Sequence, residues 1–386
     1  MAGIYVHIPF CEKKCAYCDF VSYSNRRDQV DGYLGLVEQE MAAAGELCKN
    51  EVFTSLFVGG GTPTYLDAAA LSRLLTGIRR HFRLAEDSEV TVEANPGTVD
   101  RRKLAALRQG GVNRLSFGVQ SADDALLAAI GRIHTWQEFV ESYGMAREAG
   151  FENLSLDLMF GLPGQRVDGF LETLERAAAL HPEHISAYSL KVEEGTPLFD
   201  WVQRGRAQLP DEDEERAMYH EGTAFLQSMG YAQYELSNYA RRGFASRHNL
   251  LYWRREPYIG LGVAAHSFFG EERFFNPSDF EGYERAVRRQ SWAWLRGERV
   301  EGREALFEAV MLGLRLNEGL DERAFEARYG TGFDVFGDAV EKGRKWGLLS
   351  FEPPVLRLTD RGRDLQNQAL LPFLESLEEM DKKSLE

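Results

Sequence analysis

The sequence predicts an α/β protein, a partial (β/α)6 barrel of the TIM type followed by a smaller winged-helix-like α+β domain. Three observations predict this architecture. The chain has 386 residues, which suffices for a barrel-sized domain and a smaller one. Short runs rich in β-branched and aromatic residues alternate with helical periodicity in the first half of the chain. The end of the chain instead shows several helical patterns followed by a short hairpin.

The β-rich runs are typical of parallel strands, because strands buried on both faces are continuously apolar. Each run is followed by a helical pattern, so the first half is built of βα units. The predicted strands span residues 4–10, 52–58, 89–94, 114–119, 153–160 and 184–190. The predicted helices include residues 30–47, 68–82, 101–109, 135–149 and 170–180. A closed barrel needs about eight such units, so this number indicates a partial barrel or an open doubly wound sheet.

Two further regions follow the predicted barrel, which we place at residues 1–230. Residues 231–295 are rich in Tyr, Phe and Trp, and we expect them to form an extension over the barrel with a connector. Residues 296–375 combine helices with a hairpin, as in winged-helix domains. Many such modules bind DNA, but acidic residues outnumber basic ones here, which favours a protein-contact or packing domain.

The composition excludes several classes of protein. The chain is 44% hydrophobic and 27% charged, as ordinary soluble globular proteins are. Its 60 acidic and 45 basic residues give a net charge of −15, so no nucleic acid is expected as a partner. The sequence has no apolar stretch of membrane-spanning length and no signal-peptide pattern, so we expect a cytoplasmic protein. Whether the chain forms a homodimer is left open.

Three of the four cysteines, Cys11, Cys15 and Cys18, lie within eight residues of each other, directly after the first predicted strand. A cluster of three cysteines in a chain that has no secretion signal does not indicate a disulfide framework. Thiolates suit zinc or an iron–sulfur cluster, but structural zinc normally takes four protein ligands, and Cys48 stands alone. The spacing therefore favours a cluster that leaves one iron open to a small molecule. Zinc and unligated structural cysteines are the alternatives.

The segment from Tyr5 to Cys18 resembles the opening of the radical S-adenosylmethionine (SAM) proteins of the HemN/HemW group. This group contains the oxygen-independent coproporphyrinogen III oxidases and their relatives. The resemblance continues along most of the chain and in the family's order. The matching motifs are residues 59–64 (GGGTPT), 93–96 (EANP), 116–121 (SFGVQS), Arg132, Asp157 and residues 161–164 (GLPG).

The resemblance implies a 4Fe–4S cluster held by Cys11, Cys15 and Cys18, with SAM chelated to the open iron. Electron donation from the cluster then cleaves SAM reductively, with a donor such as flavodoxin or ferredoxin. The family residues that touch this SAM correspond to Tyr5, Gly60 and Glu93. Positions that contact a second SAM in the oxidases correspond to Tyr17, Gly61, Thr62, Gln120, Arg132 and Asp157. Whether a second SAM binds here is left open, since Gln120 and Asp157 also suit strand-end caps.

A second motif lies in the aromatic region, where His248, Asn249, Tyr252 and Trp253 form the pattern HNxxYW. A neutral imidazole is a common axial ligand of haem iron, and aromatic neighbours offer flat apolar surface to a macrocycle. An isolated histidine beside Tyr and Trp also suits a purely structural role. The pattern resembles the haem-binding motif of the HemW branch, which implies haem contact at His248. His266 and His7 are alternatives.

The sequence also departs from the oxidases. In those enzymes Gly and a fourth Cys follow the third cysteine, whereas Asp19 and Phe20 follow Cys18 here. The oxidases also carry a long N-terminal extension, for which the residues before the first strand leave no room. We therefore expect a haem chaperone of the HemW type, with haem and apo-haemoprotein acceptors as partners. It should be able to cleave SAM reductively and should lack coproporphyrinogen oxidase activity. The alternatives are a coproporphyrinogen oxidase, another radical SAM enzyme such as a methyltransferase, and a redox-sensing iron–sulfur protein.

Overall fold

A computed structural model describes the backbone of residues 1–384 and the side chains of residues 1–376. The chain forms two compact units. The first comprises residues 1–232, 237–248 and 257–297. The second comprises residues 233–236, 249–256 and the described chain from residue 298 onward.

Strands and helices alternate through the first half of the chain, as predicted. The strands are β1 (Gly3–Ile8), β2 (Phe10–Cys11), β3 (Tyr23–Ser24), β4 (Phe53–Gly60), β5 (Leu84–Ala94), β6 (Arg114–Gln120), β7 (Asn153–Phe160), β8 (His184–Ser189), β9 (Ala232–Glu235), β10 (Asn238–Ala240), β11 (Tyr258–Leu261), β12 (His266–Phe269), β13 (Glu272–Phe275), β14 (Glu298–Arg299), β15 (Leu320–Asp321), β16 (Leu349–Glu352) and β17 (Val355–Leu358). The helices are α1 (Val30–Leu47), α2 (Ala68–His81), α3 (Arg101–Gln109), α4 (Asp124–Ala129), α5 (Trp136–Glu148), α6 (Val167–Ala178), α7 (Pro197–Gln203), α8 (Glu212–Ser228), α9 (Arg247–Trp253), α10 (Phe280–Arg288), α11 (Gly302–Gly313), α12 (Glu322–Tyr329), α13 (Gly337–Lys345), α14 (Asp360–Asp364) and α15 (Gln366–Ser384).

The first unit is built on one sheet, in which the predicted strands β1, β4, β5, β6, β7 and β8 lie side by side in chain order and run parallel. All of them bury apolar side chains on both faces, which explains the continuous apolar runs in the sequence. This arrangement confirms the partial βα barrel. Because the strands are parallel, their carboxyl ends meet at one edge of the sheet, where such folds place their functional groups.

Residues 258–275, which we expected to form part of an extension, add three strands to this sheet. β11 pairs in parallel with β1, and β12 and β13 continue the edge antiparallel. At the opposite edge β10 pairs antiparallel with β8. These strands have three or four residues each, too few for a periodic pattern to be recognised in the sequence.

Several barrel helices begin at residues whose side chains satisfy the free backbone N–H groups of the first turn. Asp67, Asp100 and Asp211 accept from the backbone N–H groups of Ala70, Lys103 and Glu214, respectively. Thr135 and Glu138 form a reciprocal capping box at α5. These caps explain why the predicted helix boundaries agree closely with the structure.

The second unit contains helices α11 to α13 and a three-stranded sheet in the order β15–β17–β16. Strands β16 and β17 form the predicted hairpin, and an apolar core that includes Phe325, Phe336 and Phe373 holds the helices on the sheet. The winged-helix-like prediction is consistent with this arrangement. No helix in the described part of the chain has the length and apolar character needed to cross a bilayer.

Candidate functional site

A cavity of about 500 Å³ opens at the carboxyl ends of the central strands of the first unit. Its walls come from the loop after β1, the glycine-rich end of β4 and the ends of β5, β6 and β7. The structure brings most of the predicted site residues together here. Those that line the cavity are Cys11, Cys15, Cys18, Tyr17, Gly60, Gly61, Thr62, Glu93, Gln120, Arg132 and Asp157.

The three clustered cysteines lie on one loop whose start is fixed by strand pairing. Cys11 ends β2, which pairs in parallel with β3, and the chain between them carries Cys15 and Cys18. All three are free thiols; Cys11 is buried and the other two are partly exposed. Burial raises the pKa of Cys11, and it raises the pKa of Cys18 to about 11. These thiols therefore need a nearby cation to become thiolates, and metal coordination supplies one.

The cysteine loop also receives hydrogen bonds from elsewhere in the barrel. Thr62 Oγ1 donates to Cys11 Sγ at 3.5 Å, and Arg132 Nη1 donates to Cys15 Sγ at 3.6 Å. Hydrogen bonds to ligating sulfurs are one way in which a protein tunes an iron–sulfur cluster. Two of the three thiols thus accept hydrogen bonds from side chains on other loops of the barrel.

Three thiolates are the protein ligands that a 4Fe–4S cluster with one open iron requires. Within the part of the chain that the structure describes, no three His, Cys, Asp or Glu side chains converge closely enough to hold one metal ion. A cubane carries its irons at separate corners, so three thiolates that bind it stand further apart than ligands of a single zinc. The three cysteines share one cavity wall.

The glycine-rich end of β4 lies directly against the cysteine loop. The backbone N–H groups of Gly61 and Thr62 donate to the carbonyls of Ile8 and Phe10 at 2.9 and 2.8 Å. A Cβ at Gly61 would lie 2.8 Å from the Phe10 carbonyl oxygen. Gly60 has a φ of +110°, and a Cβ there would lie 2.4 Å from the His7 ring. Only glycine lets the backbone approach this closely, which leaves main-chain groups exposed to a ligand.

Two half-buried carboxyl groups form the floor of the cavity. Glu93 accepts a hydrogen bond from the Gly60 N–H at 3.0 Å, and Asp157 accepts one from Ser116 Oγ at 3.0 Å. Burial, and then the charge of Asp157, raises the pKa of Glu93 to about 8. Burial also raises the pKa of Asp157, while the buried Arg114 guanidinium opposes both shifts. A ligand that brings hydroxyl or ammonium donors to this floor would favour the ionised carboxylates.

Arg132 connects three parts of the cavity wall. Its Nη2 donates to Asn95 Oδ1 at 2.8 Å and to the Gly118 carbonyl, while Nη1 reaches Cys15. Asn95 Nδ2 in turn donates to Thr62 Oγ1 at 2.8 Å. Among the side chains that the structure describes, none hydrogen-bonds to the buried Arg132 Nε. A buried donor of this kind suits a ligand acceptor in the cavity. Our sequence reasoning gave Asn95 no role, although it lies in the EANP motif.

Two predicted site residues lie outside the cavity lining. Tyr5 is just beneath it: its hydroxyl is 2.9 Å from His7 Nδ1, and the charge of Glu93 helps burial to raise the pKa of this phenol. His248 lies elsewhere on the barrel, beside Ser55 near the start of β4, away from the glycine-rich end. The cysteine site and the His248 imidazole are therefore two separate places on the first unit.

The His248 imidazole is a buried core group, with 1% of the residue exposed. Its Nδ1 lies 2.8 Å from Ser55 Oγ, and its ring stacks on Phe57 with the ring centroids 5.2 Å apart. Burial, and then the charge of Arg114, lowers the pKa of His248 to about 3. The imidazole is therefore neutral, as a metal ligand must be, but the packing against Ser55 and Phe57 encloses it. Haem contact at His248 stays a prediction.

Profiles of two known domains match the chain. The radical SAM superfamily matches residues 5–177, and the HemN C-terminal domain matches residues 300–365. A solved structure described as coproporphyrinogen III oxidase (HemN) from Escherichia coli is 28% identical with a TM-score of 0.84, over 96% of this chain and 89% of the other. The fold, the cysteine loop and the glycine-rich end of β4 thus define a radical SAM protein with a HemN-type C-terminal domain. Proteins of this class use SAM and a 4Fe–4S cluster.

Curated relatives place the chain more narrowly within that class. A protein named heme chaperone HemW from Bacillus subtilis is 39% identical over 98% of this chain and 100% of its own length. Its namesake from Escherichia coli is 35% identical over 96% of this chain and 98% of its own length. The chain belongs to the HemW family. The resemblance identified from the cysteine, glycine and HNxxYW motifs is confirmed.

The raised pKa of Glu93 leads to a prediction for Glu93→Gln. Between pH 4.5 and about 8 the folded chain holds a proton that the unfolded chain releases, so Glu93 lowers stability as pH rises through this range. Gln removes this penalty, so the variant without ligands should gain more in melting temperature at pH 9 than at pH 5. With the cluster loaded, SAM binding should weaken by about 1–3 kcal/mol. Thermal melts at both pH values and a SAM titration check this.

A gain in melting temperature that is equal at both pH values would contradict the assigned ionisation of Glu93. Unchanged SAM affinity would reject its role as a ligand acceptor. Glu138→Gln is a matched control, because the exposed Glu138 carboxylate belongs to the cap of α5 and lies outside the cavity.

Proposed function

We propose that the chain is a haem chaperone that binds haem and delivers it to apo-haemoproteins, and that it carries a 4Fe–4S cluster and SAM. Near-full-length similarity to proteins named heme chaperone HemW supports the proposal. The structural observation that carries it against the oxidase alternative is the position of Asp19 and Phe20. Both line the mouth of the cysteine cavity, where the oxidase pattern has Gly and a fourth Cys.

The residues that would hold the cluster are Cys11, Cys15 and Cys18. The cavity beside them, lined by the glycine-rich end of β4 and by Glu93, would receive SAM. When bound, the cluster supplies the electron for reductive cleavage of SAM. The chain itself contributes the surroundings: Thr62 and Arg132 donate to two of the sulfurs, and Gly60 and Gly61 admit a ligand against the backbone.

Glu93 and Asp157 would orient donors of SAM from the cavity floor. Ser116 and the Gly60 N–H hold the two carboxyl groups in place, and the Arg132–Asn95–Thr62 chain fixes the wall above them. We propose that one SAM occupies this cavity, on the open iron of the cluster. The residues matched to a second SAM then serve the first one and the cluster, as the Arg132 and Thr62 hydrogen bonds to cysteine sulfur suggest.

The oxidase alternative predicts a different product. We expect no protoporphyrinogen IX from coproporphyrinogen III in an anaerobic assay with the cluster-loaded chain, SAM and dithionite. The physical reason is that the exposed phenyl ring of Phe20, 64% accessible, cannot replace a cysteine thiol in electron or proton transfer. Chromatography with a fluorescence detector measures the vinyl product. Its appearance at more than a trace level would establish the oxidase, while 5′-deoxyadenosine without vinyl product is the expected result.

A further inference from the structure

We propose that Arg114, inside the barrel beneath the cavity floor, is a positioning residue of the SAM site, because its guanidinium keeps Glu93 and Asp157 in the ionised form that accepts hydrogen bonds from SAM. This inference rests on the proposed function, in which SAM occupies the cavity. Our sequence reasoning gave Arg114 no role. Its place in the strand register, its burial and the charges around it carry the assignment.

The strand register places Arg114 one layer below the floor. Arg114 and Ser116 are two residues apart on β6, so their side chains project from the same face of the sheet. Ser116 lines the cavity and donates to Asp157 at 3.0 Å, which identifies this face as the inner one. On the adjacent strand β5, Thr91 lies opposite Arg114 and Glu93 lies opposite Ser116. Arg114 therefore begins directly beneath the layer that holds the two carboxyl groups.

Arg114 is enclosed to a degree that is unusual for an arginine, with 2% of the residue exposed. Among the described groups, none accepts a hydrogen bond from its Nε. A buried cation has lost its water, so it destabilises the fold unless negative charge lies nearby. Glu93 and Asp157 supply that charge, since the Arg114 guanidinium lowers the pKa of both carboxyl groups against the effect of burial.

The neighbouring groups in the lower barrel do not provide a second cation. His184 Nδ1 is 2.8 Å from Ser155 Oγ, and burial, followed by the charge of Arg114, lowers the pKa of His184 far below neutrality. The same two causes keep His248 neutral. A third carboxylate, Glu89, lies on the same strand face as Glu93, but backbone N–H groups at the start of α9 donate to both of its oxygens at 3.1 Å.

Two groups of the cavity wall also face the floor. Arg132 lowers the pKa of Asp157, but its guanidinium already donates to Asn95 and to the cysteine loop. Burial raises the pKa of the Tyr5 phenol, so this group stays neutral beside Glu93. Of the described cations, Arg114 is therefore the one that favours ionisation of both carboxyl groups.

Arg114→Met removes the charge and keeps a long unbranched side chain. We expect Glu93 to ionise at higher pH in this variant, because the cation that favours its carboxylate is gone. Infrared spectra of the chain without ligands follow the C=O band of the protonated carboxyl group against pH, and Glu93→Gln identifies the band by its loss. Below the midpoint, SAM affinity of the cluster-loaded variant should fall about tenfold for each pH unit by which the midpoint rises. At high pH the affinities should converge.

Two variants serve as controls, and cluster content verifies the fold of each. Arg114→Lys keeps the charge and should hold the Glu93 midpoint close to that of the unmodified chain. Arg147→Met removes an arginine that binds Glu183 at 3.0 Å and lies outside the cavity lining. This second variant should change neither the midpoint nor the SAM affinity.

The same charge can be tested if Arg114→Met fails to load the cluster. Asp157→Asn should lower the Glu93 midpoint, because the charge of Asp157 raises the pKa of Glu93. Adding Arg114→Met to Asp157→Asn should raise the midpoint again, since one negative and one positive charge are then both absent. An equal midpoint in Asp157→Asn with and without Arg114→Met would overturn the proposal.

Failure of the proposal and failure of the proposed function are distinguishable. An unchanged Glu93 midpoint in Arg114→Met, or a loss of SAM affinity that is equal at every pH, would overturn the role of Arg114 and leave the proposed function standing. If the unmodified, cluster-loaded chain binds no SAM, the proposed function fails and the role of Arg114 in a SAM site fails with it.

Discussion

Replacing Cys11, Cys15 or Cys18 by alanine should abolish the iron–sulfur cluster, while Cys48→Ala should leave it intact. The first three thiols share one cavity wall, so each loss removes one of the three protein ligands. Cys48 follows α1 and packs into the apolar core, where burial raises the pKa of its thiol to about 12. It is therefore a matched control, a cysteine removed from the same chain without loss of a ligand.

The measurement is iron and sulfide content after anaerobic reconstitution, together with the absorption band near ~400 nm that thiolate-bound iron produces. The unmodified chain and Cys48→Ala should load about four irons. Cluster loss in Cys48→Ala as complete as in the three other variants would contradict the three-ligand site. A cluster retained in any of the three alanine variants at Cys11, Cys15 or Cys18 would contradict it as well.

Gly60→Ala should abolish SAM binding even where the cluster is loaded. Gly60 has a φ of +110°, which costs an alanine about 1–3 kcal/mol, and the new methyl group would meet the His7 ring at 2.4 Å. His7 is held by Tyr5 and by the Val21 carbonyl, so the ring cannot move without breaking these contacts. The displaced backbone would also draw its N–H away from Glu93.

Gly97→Ala is the control for the backbone cost alone. Gly97 also has a positive φ, of +78°, but a Cβ there meets nothing within 4 Å. Both variants should therefore lose thermal stability, whereas only Gly60→Ala should lose SAM affinity, measured by equilibrium dialysis on the cluster-loaded protein. Equal SAM affinity in the two variants would mean that the glycine-rich end of β4 does not form the SAM site.

Much of the barrel could be predicted because its physical signals are local. The central strands are apolar runs, and the helices begin at Asp or Thr caps such as Asp67 and Thr135. One predicted boundary was wrong because polar residues interrupt the apolar pattern of a strand. The sequence predicted that β5 begins at residue 89, but it begins at Leu84, before the exposed Glu86 and Asp87. Strands β11 to β13 are too short for a pattern, so the sequence could not show that they extend the sheet.

The site illustrates a different limit. The cysteine spacing and the glycine triplet predict a cavity wall, but which side chains meet in it depends on strand register and loop packing. The hydrogen bond of Arg132 to Asn95 joins residues from different loops, and no local pattern predicts it. Burial of His248 depends on contacts with Ser55 and Phe57, which lie on a strand far away in the sequence. The HNxxYW motif could therefore suggest a haem ligand without revealing that its imidazole is enclosed.

Transfer of haem from the loaded chain to an apo-haemoprotein tests the central claim most directly. The cluster-loaded protein is titrated with haem, separated from excess haem and mixed with the acceptor, and the acceptor's own haem spectrum is followed with time. The account predicts about one haem per chain and a transfer rate that rises with acceptor concentration beyond the rate of spontaneous haem release. Absence of haem binding, or transfer no faster than spontaneous release to a passive scavenger, would contradict the chaperone function.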